Sequence, residues 1–335
     1  MKRLATLATT AVLLAAAGHG REALSASGYA ERPEVRAFVA EMAERHGFLP
    51  HELNRLFSRV QRMAPVLQAI EPPSMERPRS WEEYRAMFVN ERRIAAGLQF
   101  WKAHRKALER AQRKYGVPAP VILGIIGVET FYGRNTGRWR VVDALTTLAF
   151  DYPPRADFFR AELVNYLLLA RDSGADVFAA RGSYAGAMGI PQFMPGSIRR
   201  YGVDFDGDGT IDLQRSATDA IGSVANFLRE HGWAPGGAVW RPVQLSGEGY
   251  RALLGGVEAK FTLAELQQAG VQPTGPLAPD ARAALIELET PGAASEYRLG
   301  LQNFYVLTRY NRSTFYAAAV SDLADALAKA QEAGR

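Results

Sequence analysis

No cysteine occurs in the chain. That excludes a disulfide framework, a thiolate metal site and a cysteine nucleophile. It also excludes a lipoprotein anchor, which needs an acylated cysteine. Histidine is sparse: His19, His46, His51, His104 and His231 form no His-x3-His pair, so a histidine metal centre has no sequence support. Neither GxSxG nor GxxxxGK[ST] is present, which removes the common serine-hydrolase and nucleotide-binding signatures. No repeat with a period of 20–50 residues is visible. A large charge excess is missing too: 40 Lys+Arg against 35 Asp+Glu leave a net charge of +5. The basic residues are scattered rather than striped, which argues against a nucleic-acid partner.

What is present is ordinary globular composition, 47% apolar and 22% charged over 335 residues, enough for one large domain or two to three smaller ones. The N-terminus has Lys2 and Arg3, an apolar run over residues 4–17, and then small residues. This is the layout of a secretory signal, read here as residues 1–26, with cleavage after Ala17 or Ala26. The run falls short of the about 20 residues that span a bilayer. The expectation is an exported, periplasmic protein with no stable membrane insertion. Residues 33–114 carry apolar side chains at helical spacing, interrupted by the turn-rich "EPPSMERPRS". Residues 236–291 are mixed and rich in Gly and Pro.

The stretch "VILGIIGVETFYGRN", residues 121–135, carries one carboxylate, Glu129, in a run of apolar residues and glycine. On a helix its neighbours would be Ile125, Ile126 and Tyr132. A carboxyl covered by such a face stays protonated near neutral pH, which is what a general acid needs. An isolated glutamate at a helix end more often pairs with a base, here Arg134 or Arg138.

A second feature is "SYAGAMGIPQFMPGS", residues 183–197. Gly186 and Gly189 allow tight turns or close backbone approach, and Gln192 brings an amide donor and acceptor. Tyr184, Phe193 and Met194 offer apolar contact. The mixture suits a carbohydrate; it also suits a packing turn.

Together, "VETFYG" and "GAMGIPQFMPGS" about fifty residues later resemble the lytic murein transglycosylase B family of the lysozyme-like superfamily, in a soluble form without the lipoprotein anchor. "YPPRADFFRAEL", "DAIGSVANFLREHGW" and "RYNRSTFYAAAV" strengthen the likeness. The resemblance implies an α+β, predominantly α fold. Residues 27–106 would form an N-terminal helical domain and 107–243 the lysozyme-like catalytic core. Residues 244–291 would be a small mixed subdomain, and 292–335 a helical segment completing the cleft. It implies cleavage of the β-1,4 bond between MurNAc and GlcNAc in peptidoglycan without water, leaving 1,6-anhydroMurNAc ends. Glu129 would be the single acid/base. Ser183, Gln192, Phe193, Tyr310 and Tyr316 match residues that contact substrate, and Phe227 stands where better-known members have tyrosine. The partners implied are glycan strands, with other cell-wall enzymes also possible, and the protein is expected to be a monomer. A hydrolytic muramidase and a non-catalytic peptidoglycan-binding scaffold are the competing readings.

"VDFDGDGTIDL" puts Asp204, Asp206 and Asp208 at alternate positions, with the Thr210 carbonyl at the seventh. This follows the first half of an EF-hand loop, but the twelfth position is Arg215 rather than glutamate. Asp212 and Asp219 are the nearest carboxylates that could close it, and the family resemblance points to Asp219. Oxygen-only ligands suit a structural calcium ion. No organic cofactor is expected.

Overall fold

A computed structural model describes residues 28–71, 80–278 and 280–334. The export signal read at residues 1–26 lies outside the described residues, as does most of the turn-rich "EPPSMERPRS". The chain divides into two compact units, residues 1–59 and 60–335. The first holds helices α1 (Pro33–His46) and α2 (Pro50–Phe57), each with proline in its first turn, where the missing N–H has no helical partner anyway. Their rings meet edge to face at Phe38 and Phe57, 5.9 Å apart.

The second unit begins with α3 (Ala64–Ile70), α4 (Trp81–Phe88), α5 (Glu91–Ala103), α6 (Arg105–Tyr115) and α7 (Ala119–Thr130). Next come β1 (Trp139–Arg140), α8 (Val141–Asp151), α9 (Ala156–Ser173), β2 (Arg181–Gly182), α10 (Pro195–Tyr201) and α11 (Ala217–Glu230). A sheet region follows with β3 (Trp240–Leu245), β4 (Phe261–Thr262), α12 (Leu263–Gln268), β5 (Val271–Pro273), β6 (Arg282–Leu288) and β7 (Glu296–Gly300). Helices α13 (Gln302–Tyr310) and α14 (Thr314–Ala333) close the chain. The predominantly α class expected from the sequence is what the chain adopts.

Helix α7 is the pivot. Ten of its twelve residues are buried, as a helix apolar on every side requires. It packs on α14, α6, α11 and α5. A Cβ on Gly124 would meet the Val320 carbonyl of α14 at 2.6 Å, and one on Gly127 would meet the Tyr132 hydroxyl at 2.7 Å and Leu323 at 2.9 Å. The glycines in "VILGIIGVET" thus let α14 lie directly against the helix that carries Glu129.

The sheet runs β4-β6-β7-β3-β5, antiparallel throughout, over a small core that includes Tyr250, Leu266, Val271, Leu285 and Leu299. It therefore begins at Trp240 and ends at Gly300, wider than the expected subdomain 244–291, because two of its inner strands, β3 and β7, run past those bounds. The boundary expected at residues 106/107 falls inside α6, while the chain divides after Arg59. Helical periodicity runs on through both places, so spacing alone carried no mark of the division. Arg298 of β7 is 3% exposed and bonds Asp322 of α14 twice, at 2.6 and 3.0 Å, tying the sheet to the helix that flanks α7.

Candidate active site

Glu129 occupies the penultimate position of α7 and is half-buried. The helix stops one residue later because Phe131 and Tyr132 take positive φ, 51° and 60°. Left-handed backbone at two successive non-glycine residues is strained by about 1–3 kcal/mol each and clusters at functional sites. The turn has a consequence for the expected face: Tyr132 does not continue it. Its ring goes instead to Gly97 and Gly127, so it is not the cover over the carboxylate that helical spacing suggested.

The cover comes from the C-terminal helices. Tyr316, in the first turn of α14, donates its hydroxyl to Glu129 Oε1 at 2.7 Å. Burial pushes the Glu129 carboxyl up to about 7, and the Tyr316 hydrogen bond, which favours the charged form, draws it back only in part. Burial and the nearby Glu129 charge hold the Tyr316 phenol well above its ordinary value, so the phenol remains a donor. Tyr310 stacks on Tyr316, centroids 6.3 Å apart, and donates to the Pro191 carbonyl at 2.6 Å. Burial and Glu129 raise its phenol too. Tyr84 of α4 lies close enough to act on the Tyr316 titration; nothing in its sequence context marked it.

Loop 183–197 is fastened to Glu129's own helix. Thr130, 1% exposed, donates its hydroxyl to the Ile190 carbonyl at 2.8 Å and accepts the Gly133 N–H at 2.9 Å. Two hydroxyls, from Thr130 and Tyr310, therefore hold consecutive loop carbonyls. Gln192 follows at φ 52°, its Nε2 donating to Thr136 and Gly189 carbonyls at 3.1 and 2.9 Å. Both amide hydrogens are committed to the loop, which leaves Oε1 as the acceptor. Ser183 accepts the Ala187 N–H on its hydroxyl at 3.0 Å and helps shape the loop entry. Gly189 has φ +71°, and a Cβ there would meet the Leu213 carbonyl at 2.3 Å. No side chain fits that approach. Thr130 went unnoticed in the sequence because a threonine at a helix end reads as an ordinary terminus.

Phe193 and Phe227 are 2% and 6% exposed. They pack with each other and with Tyr310 at centroid distances of 4.9 to 5.7 Å, and Phe227 stacks on His231 at 4.0 Å. They line the inside of the loop's support rather than an open wall. The accessible ring is Tyr184, 40% exposed. Asp143 and Asp151, the downstream carboxylates, are engaged elsewhere: Asp143 with Arg140 at 2.6 Å and the Gln61 N–H at 3.1 Å, Asp151 with Arg62 at 3.1 Å. Glu162 accepts the Gly196 N–H at 2.7 Å.

Carboxylate oxygens of Asp204 and Asp206 in the Asp/Gly loop and of Asp219 in the first turn of α11 come within 4.8 Å of one another. Asp219, 1% exposed, accepts N–H groups of Phe205, Asp206 and Asp212. Asp204 accepts those of Gly207, Asp208 and Gly209, which lower its carboxyl, Gly209 most. No lysine or arginine pairs with any of the three among the described residues, so three negative charges face each other in an oxygen-only set that fits a hard cation. Asp208 lies outside that trio, its Oδ1 taking the N–H and hydroxyl of Thr210. Asp212 turns to the N–H groups of Gln214 and Arg215. Leu213, next to Asp212, accepts the Ile190 N–H at 2.8 Å, so the acidic loop is joined to the loop holding Gln192.

The pattern of the family described as the transglycosylase SLT domain matches residues 30–325. The chain is 42% identical over 311 residues to the membrane-bound lytic murein transglycosylase B of Escherichia coli K12, covering 90% of this chain and 85% of the relative. It is similar to the crystal structure of soluble lytic transglycosylase SltB1 from Pseudomonas aeruginosa, with 48% identity and TM-score 0.85, over 90% of this chain and all of that one. It is also similar to the Escherichia coli lytic transglycosylase Slt35 in complex with calcium, with 41% identity and TM-score 0.84, over 91% and 95% of the two chains. A carboxyl held near neutrality beside two tyrosines, on a chain matched over nine-tenths of its length, leads to one conclusion: the protein belongs to the transglycosylase SLT domain family and is a lytic transglycosylase acting on peptidoglycan.

Proposed function

We propose that Glu129 alone performs both proton transfers of the reaction. The observation that carries this is a carboxyl raised to about 7 that accepts a hydrogen bond from Tyr316. Near neutral pH such a group is populated in both forms, and a pKa close to the working pH serves an acid and a base in turn. In the first step the protonated carboxyl gives its proton to the oxygen linking MurNAc to GlcNAc. That bond breaks and positive charge develops at the muramyl C1. The carboxylate formed keeps the Tyr316 O–H bond, which stabilises it more than the neutral acid. In the second step it takes the proton from the muramyl C6 hydroxyl as that oxygen bonds to C1. The 1,6-anhydro ring closes and Glu129 is protonated again.

Glycosidases that use water place two carboxyls across the bond, about 5–5.5 or 6.5–9.5 Å apart. The causes of the Glu129 shift include no other carboxylate, and Asp143 and Asp151 are bound to arginines. A nucleophile already held on the substrate makes a second carboxylate unnecessary. In this reading Gln192 Oε1 and Ser183 contact the sugar, while Tyr310, Phe193 and Phe227 hold the loop that presents them.

Asp204, Asp206 and Asp219 would hold a calcium ion, with Asp208 and the Thr210 carbonyl as further oxygen donors. The ion would neutralise the loop and stiffen its junction with Ile190, away from bond cleavage. The protein would work in the periplasm as a monomer on glycan strands, in cell-wall turnover or remodelling.

Mass spectrometry of digested peptidoglycan tests the chemistry. Anhydromuramyl ends, lighter than reducing ends by one water, are expected from wild type and should be lost with Glu129→Gln. Reducing ends alone would establish a hydrolase instead.

A further inference from the structure

Strands β1 and β2 form a two-stranded antiparallel ribbon in which Arg140 lies directly opposite Arg181, and Trp139 opposite Gly182. Like charges directly opposite each other destabilise such a pair, so the sequence works against the structure it builds here. Residues two apart share a face of extended chain, which adds Arg138 to the same side as Arg140 and Arg181. All three arginines line one cavity of about 390 Å³, together with Gln61, Trp139 and Asp143.

One carboxylate, Asp143, faces three guanidinium groups in this cavity. Arg140 takes it, at 2.6 Å. No carboxylate partners Arg138 or Arg181 among the described residues. Two of the guanidiniums are oriented by rings: Arg138 lies over the Trp139 ring at 4.9 Å and Arg140 over Phe178 at 5.2 Å. Planar, stacked guanidinium groups suit bidentate carboxylate recognition. Asp143 offsets one of the three charges and leaves two without a counter-charge among the described residues, a local conflict of the kind expected at functional positions.

The ribbon also adjoins the candidate active site. Thr136, whose carbonyl holds Gln192, is two residues from Arg138, and Ser183 is two from Arg181. The arginine cavity is therefore built on the same two chain segments that carry Ser183 and the Thr136 carbonyl holding Gln192. A MurNAc unit held at those residues carries a stem peptide, which bears free carboxylates.

We infer that Arg138, Arg140 and Arg181 form a subsite for carboxylates of the stem peptide. The inference rests on the proposed reading of Glu129 and its surroundings as the glycan site. Arg138 and Arg181 are exposed, so both can be changed without disturbing the buried Asp143 pair.

The test compares wild type, Arg138→Gln/Arg181→Gln and Arg138→Lys/Arg181→Lys on peptide-bearing glycan strands and on the same strands stripped of peptide by an amidase. The glutamine pair should lose about tenfold in kcat/KM on peptide-bearing strands, mainly through KM, and less than twofold on stripped strands. The lysine pair should recover less than half of that loss, since it keeps the charge but not the fork. Full recovery by lysine would reduce the effect to general attraction and overturn the subsite. Equal loss on both substrates, or loss on neither, would also overturn it. Glu129→Gln, run alongside, separates the two readings: undiminished cleavage of both substrates by that variant would remove the glycan site itself.

Discussion

Glu129 sets the pH behaviour of the protein at the scale of a single residue. Its carboxyl is near 4.5 when solvated and about 7 in the folded chain. Below about pH 4.5 it is protonated in both states and has no effect on stability. From there to about 7 the unfolded chain ionises first, so stability falls as pH rises. Above 7 the full penalty, about 3 kcal/mol at about 1.4 kcal/mol per pH unit, is present. Glu129→Gln should therefore melt higher than wild type at pH 8 and alike at pH 4, while losing on the order of 10²–10⁴-fold in turnover. Melts at the two pH values check the first part, product assays the second. Tyr316→Phe removes the one interaction drawing the carboxyl downward, so the descending limb of the pH–rate profile should move to higher pH with reduced kcat. An unmoved limb would mean that the hydroxyl does not act on Glu129.

Among the elements, the decisive contacts are α7 against α14 and α7 against loop 183–197. Gly124→Ala would push a methyl into the Val320 carbonyl; an overpacked core costs typically about 1–3 kcal/mol, and a denaturation midpoint would report it. Thr130→Val keeps shape but deletes the bond to the Ile190 carbonyl. It should lower kcat by about tenfold while Thr130→Ser retains most of the rate. Equal loss in both variants would point to packing rather than the hydroxyl. The sequence marked α7 by its apolar run and its end by Gly133. Reading Tyr132 as Glu129's neighbour failed because two residues in left-handed conformation end the helix first.

For the whole molecule, stability depends on joins between distant segments. Arg298 and Asp322 are a buried pair, 3% and 7% exposed, with Arg85 also on Asp322. Removing one member of such a pair strands the other and costs about 3–5 kcal/mol, so Asp322→Ala should lower the melting temperature by many degrees. Calcium should raise the melting temperature of wild type, and Asp206→Ala should abolish most of that gain; an identical rise in both proteins would refute the metal site.

The amino-acid order alone determined the helical character, the isolation of Glu129 in an apolar helix and the alternating acidic loop, because these depend on spacing within a few residues. Family resemblance supplied the late tyrosines, since Tyr310 and Tyr316 share no helical face. Tertiary structure decided what spacing cannot carry. It brought Tyr316 to Glu129 across 187 residues of chain, buried Phe193 and Phe227 inside the loop's support, and set Arg140 opposite Arg181. The physical reason is common to all three: a side chain's partner, solvent exposure and charge state are fixed by segments that meet only once the chain has closed on itself.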